Sequence, residues 1–278
     1  MAGMNVPFRW DLVTPDQLGS LLDDVAIPEV RYLADLAECA GKVLARGGNG
    51  DLVFVGRSLD SMFDLLGGAL EGTDHTLARL PLSFLHPDDH TRPEVLRARE
   101  ILTELGITPA SLARRTRPVT FVDVVSSGRT FLSLFTLLDD WIAEEREPWP
   151  VIRLKIRFVG VTRRTETSPN TRRWKEEHAE WTRRLPAASV VNVSLHTFAW
   201  SYFGDHQQKV TRHFPSHRWV DGPPETRRDD RTRKALAEAV HLVELGRTKE
   251  VRRRIARAID GEPALAEPWL RALRSQLG

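Results

Sequence analysis

Apolar residues recur along this chain with two periods, and the switching between them is its first structural signal. Short apolar runs read as strands at Asp51 to Val55, Ala78 to Leu85, Val119 to Val125, Val151 to Val161 and Ser189 to His196. Pro81 places the second at an edge or a bulge, because proline cannot donate to a ladder. In the fourth, Ile152, Leu154, Ile156 and Phe158 alternate with Arg153, Lys155 and Arg157, so one face is wet or meets an anion. Helical spacing fills the gaps: Glu29 to Ala45, Leu59 to Leu70, Pro93 to Leu105, Phe131 to Glu145 and Asn170 to Leu185. The alternation predicts an α/β fold, an open and mainly parallel sheet of about five strands flanked by helices.

The ends read as additions to a core over residues 28–196. Residues 1–27 form an N-terminal extension, with a helix start at Thr14 to Gln17. Residues 197–278 begin as an irregular aromatic and basic segment, then continue as helices over Asp230 to Leu245, Thr248 to Ile259 and Pro268 to Leu277.

In open parallel sheets, ligands bind beyond the carboxyl ends of the strands. Two loops there carry chemistry. The run from Val119 ends in a lone carboxylate, Asp123, and then a small-residue turn, Ser126-Ser127-Gly128, before Arg129 and Thr130. Hydroxyls, a glycine that permits close approach and the amides of a following helix together suit a phosphate. Gly56-Arg57-Ser58 follows the first strand, where an arginine backed by a helix start can clamp a diphosphate.

The stretch from Val119 to Thr130 resembles the PRPP-binding motif of type I phosphoribosyltransferases, PRPP being 5-phosphoribosyl 1-diphosphate. That motif has two adjacent acids at the end of a strand. Asp123 matches the second, and Val122 stands in place of the first. The resemblance implies that Asp123 contacts ribose as the catalytic carboxylate. It implies that Ser126, Ser127, Gly128, Arg129 and Thr130 wrap the 5′-phosphate, and that Arg57 and Ser58 meet the pyrophosphate. The implied activity is a pentosyl transfer of nucleotide metabolism: PRPP or a related phosphoribosyl nucleotide, with magnesium, makes or breaks a C1–N glycosidic bond to a nucleobase-like acceptor. A homodimer is compatible with it. The alternative is a non-catalytic phosphosugar or nucleotide sensor that regulates a partner or RNA, a reading that Val122 favours.

Other groups change the picture less. Residues 76–118 occupy the place of that family's hood-like loop, and His86 to His90 read as a polar turn there rather than as a zinc site. His196, Trp200, Tyr202, His206, Lys209, Arg212, His213, His217, Arg218 and Trp219 crowd one segment, which suits either a nucleobase or packing over the sheet. Asp60 and Asp64 could hold a metal, although solvated acids are the commoner arrangement in a first helical turn. Trp174, His178 and Trp181 share a helical face and read as packing.

Composition narrows the class. At 278 residues, 41% hydrophobic and 28% charged, the chain can bury a full core. Cys39 is the only cysteine, which excludes an intrachain disulfide and a cysteine metal cluster. Met1 to Trp10 lack a signal-peptide core, and no run of about 18 apolar residues could span a bilayer. A cytoplasmic protein with no membrane partner is expected. The net charge of +2 conceals basic clusters around Arg163 to Arg184 and Arg247 to Arg257. Glu166, Glu176, Glu177 and Glu180 interrupt the first, and no nucleic-acid motif accompanies either. Salt-bridged helix faces are the better reading, and nucleic acid is the lesser one.

Overall fold

The computed structural model describes residues 6–84, 90–166 and 174–278. Five strands form one wholly parallel sheet: β1 (Asp51–Val55), β2 (Leu77–Leu80), β3 (Val119–Val124), β4 (Ile156–Arg163) and β5 (Val190–Leu195). Their order across it is β2-β1-β3-β4-β5. The helices begin with α1 (Leu33–Arg46), α2 (Asp60–Ala69), α3 (Arg92–Glu104), α4 (Pro109–Arg114) and α5 (Arg129–Glu144). Short ones follow: α6 (Trp149–Ile152), α7 (Trp174–Glu177), α8 (Ala179–Arg183), α9 (Thr197–Ser201) and α10 (Ser216–Asp221). The chain closes with α11 (Asp230–Arg247), α12 (Lys249–Asp260) and α13 (Pro268–Leu277).

Parallel strands need cover on both faces, and alternate residues of each strand supply the two apolar surfaces. Phe54, Val122, Val159 and Val193 meet α1 and α2, together with Leu242, Ile255 and Leu270 from the C-terminal helices. Val53, Phe121 and Phe158 meet Ile101 of α3, Leu112 of α4, Phe131 and Leu134 of α5, and Trp181 of α8. The segment expected as a helical extension therefore shares a core with the sheet. A third, smaller cluster joins Trp10 and Leu12 of the N-terminal segment to Leu236 and Val243 of α11.

Local chemistry sets the helix starts. Thr91 and Glu94 form a capping box on α3, with the Thr91 amide donating to Glu94 Oε2 at 2.6 Å. Asp229 accepts the Thr232 amide at 2.9 Å and caps α11, and Thr248 does the same for α12.

Several expectations change in the structure. The strand expected over Val151 to Val161 starts only at Ile156, because Pro148 and Pro150 set up the helical turn α6, and Leu154 is exposed. The run Ala78 to Leu85 is a strand only at Leu77–Leu80, an edge strand that stops before Pro81. The helix expected from Asn170 to Leu185 is two short helices, α7 and α8, and residues 170–173 lie outside the described residues. The segment after residue 196 is irregular only in part: it holds α9, one π-turn at Tyr202–His206, and α10, with residues 207–215 between them outside any helix. Half of the described residues of 76–118 lie in the packed helices α3 and α4 rather than in an open loop. In them, His86 lies outside the described residues, while the His90 ring sits 5.1 Å from that of Trp219. Among the described residues, no helix is long and apolar enough to cross a membrane.

Candidate functional site at the sheet edge

The two loops singled out in the sequence end neighbouring strands. β1 pairs with β3, yet β1 continues through α2 to β2 on one side and β3 through α5 to β4 on the other. Because α2 and α5 cover opposite faces, a crevice opens between the two strand ends, the switch point at which open α/β sheets take ligands. Arg57 and Ser58 lie on one lip, and Asp123 to Thr130 on the other. Asp60 and Asp64 begin the helix beneath the first lip.

Asp123 is buried beside this crevice and accepts the Val124 amide at 2.7 Å through Oδ1. Burial pushes its carboxyl up to about 8, against the opposing pull of that amide and of the Lys209 charge. It is therefore largely protonated at neutral pH. Val122 points to the opposite face, into the core against α1 and α2, and is fully buried. A second acid at that position would face the apolar core rather than the crevice.

Gly128 caps α5 in the left-handed conformation at φ 81°, which favours glycine. The close approach expected there is made by the Trp174 ring: a Cβ on Gly128 would lie 2.5 Å from Trp174 Cε3. Gly160, the register partner of Asp123, meets the same indole, whose Nε1 donates to Asn192 Oδ1 at 2.6 Å. Trp174 thus walls the β4 side of the site. Arg129 and Thr130 form the first turn of α5, with Ser126 and Arg129 exposed and Ser127 and Thr130 half-buried.

On the other lip, Gly56 turns the chain at φ 67°, and Arg57 Nη1 donates to the Thr211 carbonyl at 2.6 Å. Burial lowers the Arg57 pKa, partly offset by Asp60. Lys209 comes from the segment after β5, and its Nζ donates to Gln207 Oε1 at 2.5 Å and to the Ser58 carbonyl at 3.3 Å. Burial brings its pKa down to about 8, with Asp60 holding it up. The aromatic-basic segment had drawn attention as a candidate base site. The structure splits it: Lys209 reaches the sheet edge, whereas Trp200 and Trp219 donate to the Val161 and Phe214 carbonyls as packing residues.

A buried charge group was not legible in the sequence. Arg9 bonds Asp64 and lies 3.8 Å from Asp60, and Arg79 Nη2 is 2.8 Å from Asp60. Both carboxylates are buried, and the two arginine side chains are at most 10% exposed. Asp60 and Asp64 are therefore neither solvated acids nor an open metal pair. Burial lifts Asp64 to about 6, while Asp60 is held below its ordinary value by Arg79 and Arg9 despite burial. The signals that could have found this group are an arginine inside the apolar run Pro7 to Trp10 and another on an edge strand.

The donor set does not fit a resident magnesium ion. Asp123 is the one carboxylate at the β3 lip among the described residues, and its burial favours the protonated form. Among the described residues, no group of three His, Cys, Asp or Glu side chains is arranged to hold a metal. No known protein family, curated protein or solved structure matches this chain.

Proposed function

We propose that this chain is a phosphoribosyltransferase-like protein that takes PRPP or a related phosphoribosyl nucleotide at the switch point. The observation that supports it most is placement: the two loops with anion-binding character end adjacent strands at the point where the sheet reverses its winding. The 5′-phosphate would lie on residues 126–130, where the α5 start, with no side chain capping it, offers amides and a partial positive charge. The diphosphate would meet Arg57 and Lys209, and protonated Asp123 would donate to a ribose oxygen. As a catalyst, the chain would use phosphate contacts to position C1 against the acceptor nitrogen.

A second reading, a non-catalytic sensor, rests on Val122. It belongs to the core, so the site has one carboxyl where pentosyl chemistry of this type uses two. Turnover of PRPP separates the two readings.

Isothermal titration with PRPP, with and without magnesium, tests both against Ser127→Asp. Gly128 is a poor target because any side chain there strikes Trp174. Ser127 precedes the helix, where an added acid suits the fold but repels phosphate. Wild-type binding weakened at least tenfold in the variant is the expected result. Equal binding by the two proteins would remove residues 126–130 from the site.

A further inference from the structure

A cavity of about 600 Å³ opens outward from Arg57, walled by the segments 205–218 and 224–232 and by Pro7 and Phe8. We propose that it is a second ligand site, for a nucleoside polyphosphate. Its lining carries six Arg and Lys side chains, Arg57, Lys209, Arg212, Arg218, Arg227 and Arg231, against three carboxylates. One of those carboxylates is already committed: Asp229 caps α11 through the Thr232 amide and hydroxyl, both at 2.9 Å, and lies 3.9 Å from Arg227. The two cations at the cavity floor are satisfied by neutral oxygens, Thr211 O for Arg57, and Gln207 Oε1 and Ser58 O for Lys209. Neither cation has a carboxylate within ion-pair distance among the described residues. The field this leaves is felt by His213, which burial and then the Arg57 and His217 charges hold below its ordinary pKa.

Like charges gathered in a concavity repel one another, and a ligand bearing linked phosphates relieves that repulsion with several charge-assisted hydrogen bonds at once. The volume is in the range of small-molecule sites. Phe8 is the feature that asks for more than phosphate. It lines this cavity at 50% exposure, its ring packed edge-to-face with that of Trp10 at 5.1 Å, and so offers exposed aromatic surface to a base. Arg57 and Lys209 are shared with the diphosphate position proposed above, whereas the other residues of this cavity lie outside both strand-end loops, so the inference does not depend on PRPP as the ligand there.

The test is titration calorimetry of the full chain with ATP, GTP and inorganic tripolyphosphate at low and moderate salt. The proteins compared are wild type, the double variant Arg212→Glu/Arg218→Glu, and Phe8→Ala. The charged pair is exposed, so circular dichroism of the double variant should match wild type. Expected are binding of all three probes by wild type, at least tenfold weakening of each in the double variant, and weakening of ATP and GTP but not tripolyphosphate in Phe8→Ala. No binding to wild type, or undiminished binding to the double variant, would overturn the site. Equal loss of nucleotide and tripolyphosphate in Phe8→Ala would overturn its nucleoside half. Ser127→Asp separates this site from the switch-point site, because it should lose PRPP and keep ATP.

Discussion

Asp123 shows how a single residue can oppose the fold that holds it. Its pKa of about 8 in the folded chain stands above an ordinary value near 3.9. Between about pH 4 and pH 8 the unfolded chain has released this proton and the folded chain keeps it. Stability therefore falls as pH rises through that window, by up to about 1.4 kcal/mol per pH unit. Asp123→Asn removes the cost while keeping the shape and an acceptor for the Val124 amide. Urea unfolding should find the variant equal to wild type near pH 4 and more stable at pH 7.5, by at least about 2 kcal/mol. No gain at pH 7.5 would mean that the carboxyl is ionised in the fold. The same variant keeps an N–H donor for the ligand but loses the titratable acid, so any activity that needs proton transfer should fall while binding is retained. That an acid ends this strand was readable from the apolar run before it. Its protonation was not, since that depends on which distant groups bury it.

At the scale of elements, the crossing of α2 and α11 explains how the C-terminal helices came to belong to the core. Gly68 and Gly246 let the two backbones touch: a Cβ on Gly68 would lie 1.9 Å from Val243 O, and one on Gly246 2.1 Å from Leu65 O. Alanine normally stabilises a helix over glycine by about 1 kcal/mol. Gly246→Ala should reverse that sign and destabilise by about 3 kcal/mol, because neither backbone can yield without separating the helices. Gly67, one residue from the crossing, is the control. A Cβ there meets only Val13 Cγ2 at 3.4 Å, so Gly67→Ala should be neutral or stabilising in the same denaturation series. Helices were legible over Asp230 to Leu245 and Thr248 to Ile259, close to the observed α11 and α12. The strand misread over Val151 to Lys155 shows the converse: its period-two alternation was genuine, and two prolines overrode it.

For the whole molecule, the question is whether residues 28–196 stand alone. One face of the sheet is finished by Leu242, Ile255, Ile259, Leu270 and Leu273, and Arg46 of α1 makes a paired contact with Glu262 at 2.7 and 2.9 Å. A chain ending at residue 228 would expose that face of α1 and α2 to water, at about 25 cal/mol for each Å² of apolar area. It should lose cooperative thermal unfolding and near-ultraviolet circular dichroism, and bind a hydrophobic dye. A sharp unfolding transition in the truncated chain would show that the α/β core is autonomous.

By itself, the sequence determined the α/β class, most element positions and the two loops at the strand ends. Periodicity, turn residues and caps act within a few residues of one another, so they can be read along the chain. Only the tertiary structure decided what surrounds those loops. Arg9 and Asp64 are 55 residues apart, Arg57 and Thr211 154, and Lys209 and Ser58 151. Burial, and with it the charge of Asp123, Asp64 and Lys209, is set by segments that far away. Trp174 against Gly128, and the basic cavity over Arg57, likewise exist only once the segments after β4 and β5 fold back across the sheet edge.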